Sequence, residues 1–366
     1  MTADGLEAAA RGALSAEAFS YVAGGASTER TIAGNREAFA RWRIVPRMLR
    51  GVTERDLSTT VLGTAMSAPV LTAPVGVLGW VHPDGDRAVA RAAAGLGLAS
   101  VLSTASSTTL EEVAAAAPDA NRWYQFYWPQ DPGVAESLVR RAEAAGYRAI
   151  VLTVDTWMLG WRPRDLQLAH LPFLRAQGIA NYLSDPVFRS RLAAPPEESE
   201  QAMRSAVLAW VEMFGNPGLV WSDLSLLRGW TQLPILIKGI CHPDDARAAL
   251  DHGADGVVVS NHGGRQVDGA RAALDCLPGV LAAVDERAPV LLDSGIRCGA
   301  DVLIALAMGA QAVLLGRPWV YGLALAGQRG VEHVLRAILG DVDLTLALAG
   351  YTSPAELDRR SIIREA

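Results

Sequence analysis

The sequence predicts a closed (β/α)8 barrel, and three observations predict it. From residue 69 onward, short β-branched runs alternate with alanine-rich amphipathic segments, the pattern of repeated βα units on a parallel sheet. The alternation occurs eight times. The last two units place Gly and Arg just beyond the strand, where this fold commonly holds a phosphate. A chain of 366 residues, half of them hydrophobic, suits a barrel of ~250 residues with insertions.

In chain order, residues 1–68 read as an N-terminal helical and hairpin cap. The candidate strands follow at 69–76, 99–104, 122–127, 149–155, 234–240, 256–261, 289–295 and 312–317. Between them lie helix candidates such as DGDRAVARAAAGLG, SLVRRAEAAG, HPDDARAALDHG and CGADVLIALAMG, opening near Asp, Ser or Gly and often closing on Gly, as caps do. An open doubly wound sheet is the rival architecture. It would want a glycine-rich loop after the first strand, and TAPVGVLG lacks that fingerprint. Residues 162–222 form a long insertion after the fourth strand, reading as an ordered excursion whose acidic PPEESE tip is exposed. A loop of this length at the catalytic face is usually a lid; a disordered surface loop is the alternative.

Net charge of −6, a pI near 5.6 and the lack of a basic cluster argue against a nucleic-acid partner and for a small molecule. Cys241, Cys276 and Cys298 are far apart in sequence and sparse, as in a reducing cytoplasm, and take no role. The first twenty residues carry acids and no apolar h-region, and the apolar runs are too short to span a bilayer, so a cytoplasmic protein with no membrane partner is expected.

The chemistry of a barrel is sought where its strands end. Gln125 and Tyr127 end the third candidate strand, Thr153 and Asp155 the fourth, Lys238 lies in the fifth, Ser260, Asn261 and His262 end the sixth, Asp293 the seventh, and Arg317 follows the eighth. His262 is followed by two glycines, which would let the backbone pass close to a ligand, and by Arg265. As a base it needs an anion to hold its imidazolium, and Asp155 is a candidate. His82, His170, His242, His252 and His333 have no such setting and read as structural. Arg162 and Arg265 suit a carboxylate gripped through two bonds, although surface ion pairs are the commoner fate of arginine. Lys238 sits inside the apolar run ILIKGI and needs an anion nearby.

YVAGGA, NREAF, TAPVG, the strand ending in Gln125 and Tyr127, LTVDT, IKG, SNHGGRQ, DSGIR and GRP, in this order, resemble the FMN-dependent 2-hydroxy-acid oxidase and dehydrogenase family over almost the whole chain. NYLSDPVF, with DSGIR where many relatives have two glycines after the Asp, is most similar to the lactate 2-monooxygenase and lactate oxidase branch. The resemblance implies that His262 takes the proton at substrate C2 with Asp155 supporting it, that Arg162 and Arg265 bind the carboxylate, and that Tyr21 and Tyr127 face substrate oxygens. It implies Lys238 beside flavin N1 and O2, and Gln125, Thr153 and Ser103 on the isoalloxazine. Pro74, Val75 and Gly76 would line the N5 side, with Ser260, Asp293, Gly295, Arg297, Gly316 and Arg317 completing the FMN site. A cationic group near N1 and a near-neutral base suit this chemistry.

Ala105 stands where glycolate-preferring relatives carry a bulky aromatic, so the resemblance implies room for lactate or a larger acid. Gly76 beside N5 would leave oxygen a path, which makes O2 the expected acceptor. An oxidase of aromatic hydroxy acids such as mandelate is the alternative within the family, with Trp157 and Trp161 lining or narrowing the pocket. A flavin-bearing isomerase, a silent FMN-binding barrel and a sugar-phosphate barrel are the alternatives outside it. Family members are usually tetramers or larger, so a homo-oligomer is implied. Residues alone leave open hydride against carbanion chemistry, and release of the keto acid against its decarboxylation.

Overall fold

The computed structural model describes residues 2–168 and 171–365. Eight parallel strands form one closed barrel: β1 (Val70–Thr72), β2 (Ala99–Ser103), β3 (Asn121–Phe126), β4 (Ile150–Thr153), β5 (Ile235–Ile240), β6 (Gly256–Val259), β7 (Val290–Leu292) and β8 (Ala312–Leu315). Closure comes from β8 pairing with β1, Val313 opposite Val70. Each expected strand is present, and most stop short of the stretch the sequence implies. Asp155, Ser260 and Asp293 therefore lie above the ladder, on the turns after it, and Arg317 opens the helix that follows β8.

The barrel interior is filled by alternate strand residues, as a period of two demands. Leu71, Val101, Trp123, Val151, Leu236, Val258, Leu291 and Leu314 form one buried cluster, and Val61 and Met66 join it from an antiparallel hairpin, Thr59–Val61 with Thr64–Met66. Trp123 Nε1 donates to Thr64 Oγ1 at 3.0 Å, so the hairpin plugs the end where the strands begin. The helical part of the cap, Ala3–Ala13, Ala16–Ala23 and Arg30–Ala40, reaches the other end: Ala26 N donates to Gly264 O at 2.9 Å, above β6. The cap is thus divided between the two ends of the barrel.

The outer helices are α1 (Gly85–Ala94), α2 (Leu110–Ala116), α3 (Pro132–Ala144), α4 (Leu224–Trp230), α5 (Pro243–Asp251), α6 (Ala273–Val284), α7 (Gly299–Ala307) and α8 (Arg317–Leu348), the last broken at Ala326–Gly327. Among the described residues no helix is long and apolar enough to cross a membrane. Their starts are capped less simply than the sequence implies. Asp131 does cap α3, accepting from Gly133 N and Val134 N. Asp84 makes no cap bond and instead pairs with Arg87 and Arg91. At α5 the cap is His242, whose side chain accepts from Asp244 N at 3.1 Å.

The insertion after β4 is folded throughout its described part, with Pro163–Gln167, Ala180–Leu183, Pro186–Arg189 and Glu200–Met213 helical. NYLSDPVF is its anchor. Asn181 Nδ2 donates to Thr104 O at 3.1 Å and Ser106 Oγ at 2.9 Å, while its Oδ1 accepts from Leu110 N at 2.8 Å. Asp185, fully buried, accepts from Ser137 Oγ at 2.7 Å and Arg141 Nη1 at 2.9 Å, and caps the Pro186 helix through Val187 N and Phe188 N. The PPEESE tip stays exposed at Glu197 and Glu198, although Pro196 is buried. Removing one partner of a buried, hydrogen-bonded ion pair strands the other, so Asp185→Ala is expected to cost about 3–5 kcal/mol. A fall in the chemical-denaturation midpoint checks this.

Candidate active site

A cleft opens where the strands end, and it brings together residues from both ends of the sequence. Tyr21, Pro74, Val75, Gly76, Ser103 and Ala105 line it from the first half of the chain, with Tyr127 and Arg162. From the second half come Lys238, His262, Arg265, Asp293, Gly295, Arg297, Gly316 and Arg317. Gln125, Thr153, Asp155 and Ser260 stand one layer behind. Gln125 Oε1 accepts from Ser103 Oγ at 3.1 Å and its Nε2 donates to Thr153 Oγ1 at 3.0 Å, a buried polar floor spanning β2, β3 and β4. Ser260 Oγ accepts from Lys238 Nζ at 2.8 Å.

His262 Nδ1 lies 2.8 Å from Asp155 Oδ1, the geometry in which the carboxylate takes the Nδ1 proton. Thr156, to which the sequence reading gave no role, completes the set: its Oγ1 lies 2.8 Å from Asp155 Oδ1 and 3.0 Å from His262 Nδ1. Burial lowers the His262 pKa below the ordinary 6.5; Asp155 opposes the shift, while the positive charges of Lys238 and Arg162 add to it. The ring is therefore neutral at pH 7 and able to accept a proton. Burial alone would raise the Asp155 carboxyl, but His262 and Lys238 bring it down to about 2.

Lys238 has the anion that its apolar strand requires: Nζ lies 3.0 Å from Asp293 Oδ2, both side chains nearly buried. Burial by itself would depress this ammonium, yet Asp293 and Asp155 more than compensate and its pKa is raised. Tyr21 and Tyr127 are both pushed up by burial, so each hydroxyl remains a donor at neutral pH.

The arginines are different. Among the described residues none of Arg162, Arg265, Arg297 and Arg317 makes an ion pair. Arg162 donates to Arg265 O and the Gln266 side chain, Arg265 to Gly24 O, Arg297 to Ile296 O, and Arg317 to Val22 O, Gly24 O and Gly263 O. Burial and the Arg265 charge lower Arg162 to about 10, while burial and the charges of Arg297 and Arg265 lower Arg317 to about 9. Half-buried cations without anions await them. The α7 start is less open to a phosphate than its glycines imply, because Arg297 N and Cys298 N already donate to Asp301 and Gly299 N to Asp341. The guanidinium groups of Arg297 and Arg317 therefore carry that end of the cleft.

At three places the structure adds protein contacts that the sequence does not show. The glycines after His262 are also required by protein neighbours: a Cβ on Gly264 would lie 2.7 Å from Ile32 N, and one on Gly263, which lines the cleft, would lie 3.0 Å from Arg317 Nη1. Gly76 has a packing reason of its own, because a Cβ there would meet the Cβ and O of Ala105, each at 2.9 Å. Cys241 and Cys276, remote in sequence, are neighbours: the Cys276 thiol and burial together keep the Cys241 thiol protonated, and its Sγ donates to Ser260 O at 3.1 Å. Of the remaining histidines, His82 Nδ1 accepts from Asp84 N and His252 Nδ1 contacts Ala248 O; His170 lies outside the described residues.

Residues 10–364 match the model of the FMN-dependent dehydrogenase family. The chain belongs to that family. It is 45% identical over 348 residues to an L-lactate oxidase of Lysinibacillus sphaericus, covering 95% of this chain and 89% of that one. It is 42% identical to the human 2-hydroxyacid oxidase 1, covering 96% and 93%. Among solved structures, a mandelate oxidase variant with 2-hydroxy-phenylacetamide superposes with a TM-score of 0.84 at 39% identity, covering 96% and 95%. The chain is thus an FMN-dependent enzyme of 2-hydroxy-acid oxidation.

The residues present fit FMN. A buried ammonium, a polar floor and two arginines without anions at the far end match, in order, an electron-rich ring edge, ring heteroatoms and a phosphate. With His262 neutral only above a lowered pKa, a proton-accepting role for it predicts that kcat/KM falls on the acid side through a value below 6.5. Asp155→Asn removes the charge that opposes this lowering, so the acid limb should move further down while the maximal rate drops. His262→Gln should lose about 10²–10⁴-fold. Rates of flavin reduction measured across pH check all three.

Proposed function

We propose that the protein oxidises an L-2-hydroxy acid with an apolar C2 substituent to the 2-keto acid, with O2 as the electron acceptor. The observation that carries the reading is the pairing of a neutral, carboxylate-held His262 with two arginines that lack anions in one cleft. Arg162 and Arg265 bind the substrate carboxylate, and Arg265 lies over the Tyr21 ring at 5.1 Å, which fixes the guanidinium plane. Tyr21 and Tyr127 donate to substrate oxygens, and His262 takes a proton while Asp155 holds the imidazolium. Pro74 to Gly76, Ser103, Gln125, Thr153, Lys238, Ser260 and Asp293 would hold the ring and ribityl side of FMN; Gly295, Arg297, Gly316 and Arg317 would hold its phosphate. FMN supplies the two-electron acceptor and its reoxidation. Oxygen as the final acceptor is supported by the relatives named as oxidases.

Lactate is the substrate we favour, on the small, buried Ala105 beside Gly76 and the similarity to L-lactate oxidases. A second reading, an aromatic acid such as mandelate, is favoured by the wall of the cleft. Leu159, Phe173 and Phe214 line it, with Phe173 stacked on Trp210 at 4.9 Å and Tyr127 edge-on to Phe214 at 5.6 Å. Anaerobic titration of the yellow holoenzyme with L-lactate and then L-mandelate, followed by air, decides. Bleaching that recovers in air is expected, with kcat/KM ranking the two acids. Persistence of the oxidised spectrum with every 2-hydroxy acid would overturn the reading, and a reduced spectrum stable for minutes in air would remove O2 from it.

A further inference from the structure

Gln266 spends its whole side chain on one short segment. Its Nε2 donates to the carbonyl oxygens of Asp155 and Met158 at 2.8 and 2.7 Å, and its Oε1 accepts from Gly160 N at 3.2 Å and Arg162 Nη2 at 2.9 Å. A primary amide has two donor hydrogens and two acceptor lone pairs, and here all four are used.

The segment it holds has little else to fix it. Trp157, Met158, Leu159 and Trp161 are 51%, 62%, 43% and 70% exposed, so burial of apolar surface does not keep them in place. Gly160 lies against the backbone of residues 265 and 266, where a Cβ would come within 2.6 Å of Arg265 O. Beyond the Gln266 bonds, Arg162 Nε donates to Arg265 O at 3.2 Å and Ser27 N to Trp161 O at 2.7 Å. The amide therefore joins the loop that bears His262 and Arg265 to the stretch that bears Asp155 at its start and Arg162 at its end.

We propose that Gln266 is a positioning residue, a clasp that sets the Arg162 guanidinium beside Arg265 before an anion arrives. The proposal rests on the reading of Arg162 as a carboxylate ligand. Only an uncharged amide serves: it gives hydrogens to two carbonyls and accepts from a guanidinium without neutralising it. The clasp bears on capture of the acid and leaves proton removal by His262 largely unchanged, because orientation already present in the free enzyme lowers the cost of binding.

The test uses the FMN-loaded enzyme with Gln266→Leu, which removes all four bonds at similar size, and Gln266→Glu, which keeps an acceptor for Arg162 but loses both donors and cancels its charge. Each should raise KM for L-lactate and the dissociation constant of oxalate, a planar dicarboxylate probe, by at least about tenfold, the cost of one or two hydrogen bonds. The kcat should stay within about threefold, since only ground-state capture is touched. Amide exchange across residues 156–162 should quicken in Gln266→Leu without any ligand. Unchanged KM, oxalate affinity and exchange would overturn the proposal, as would a fall in kcat at unchanged KM, which would tie Gln266 to the His262 and Asp155 pair. If the wild type oxidises no hydroxy acid, the function proposed above fails, and exchange in the two variants still tests the clasp.

Discussion

The organising constraint of this molecule is half-buried positive charge without its anions. Four guanidinium groups and one ammonium converge on the wide end of the barrel, and among the described residues only the ammonium is paired, with Asp293. The chain answers with carbonyl oxygens. Gly24, Val22, Gly263 and Arg265 each turn a backbone C=O toward an arginine, which satisfies hydrogens without cancelling charge. The β6 turn accommodates this arrangement with positive φ at Gly263 and Gly264, and Gly264 O accepts from Ala26 N of the N-terminal segment.

Beneath this charged end lies an ordinary apolar barrel, and the division of labour explains the architecture. Strand residues facing inward are Ala, Leu, Val and Trp in the lower layers; the change to polar side chains comes in the last paired layer, at Ser103, Gln125, Thr153 and Lys238, and continues on the turns above with Asp155 and His262. The opposite end receives the hairpin plug, which satisfies Trp123 Nε1 through Thr64 Oγ1 and accepts from Asn121 Nδ2 through Ala65 O.

The eight strands were legible because β-branched runs at a regular spacing leave few other architectures, and the site residues because polar groups at those strand ends have no packing reason to be there. What was hidden depends on contacts between distant residues. Gln266 was visible within SNHGGRQ, yet nothing local says that its amide reaches back to Asp155 and Arg162. Lys238 announced a need for an anion without revealing that Asp293 meets it. Helix starts misled where a side chain had a better partner, as Asp84 has in Arg91, and the four-residue helices of the insertion are too short for any periodicity to show. Phe173 and Phe214, which wall the cleft, lie in that same unpatterned stretch.

Arg317 has a wider consequence. It starts α8, faces the end of the cleft fitted for a phosphate, and holds the carbonyls of Val22 and Gly24, next to Tyr21. An anion settling on this guanidinium would relieve the repulsion from Arg297 and Arg265 and brace the chain's first helices through the same side chain. An anion on Arg317 and the seating of the Ala16–Ala23 helix end against it would therefore favour each other by mass action.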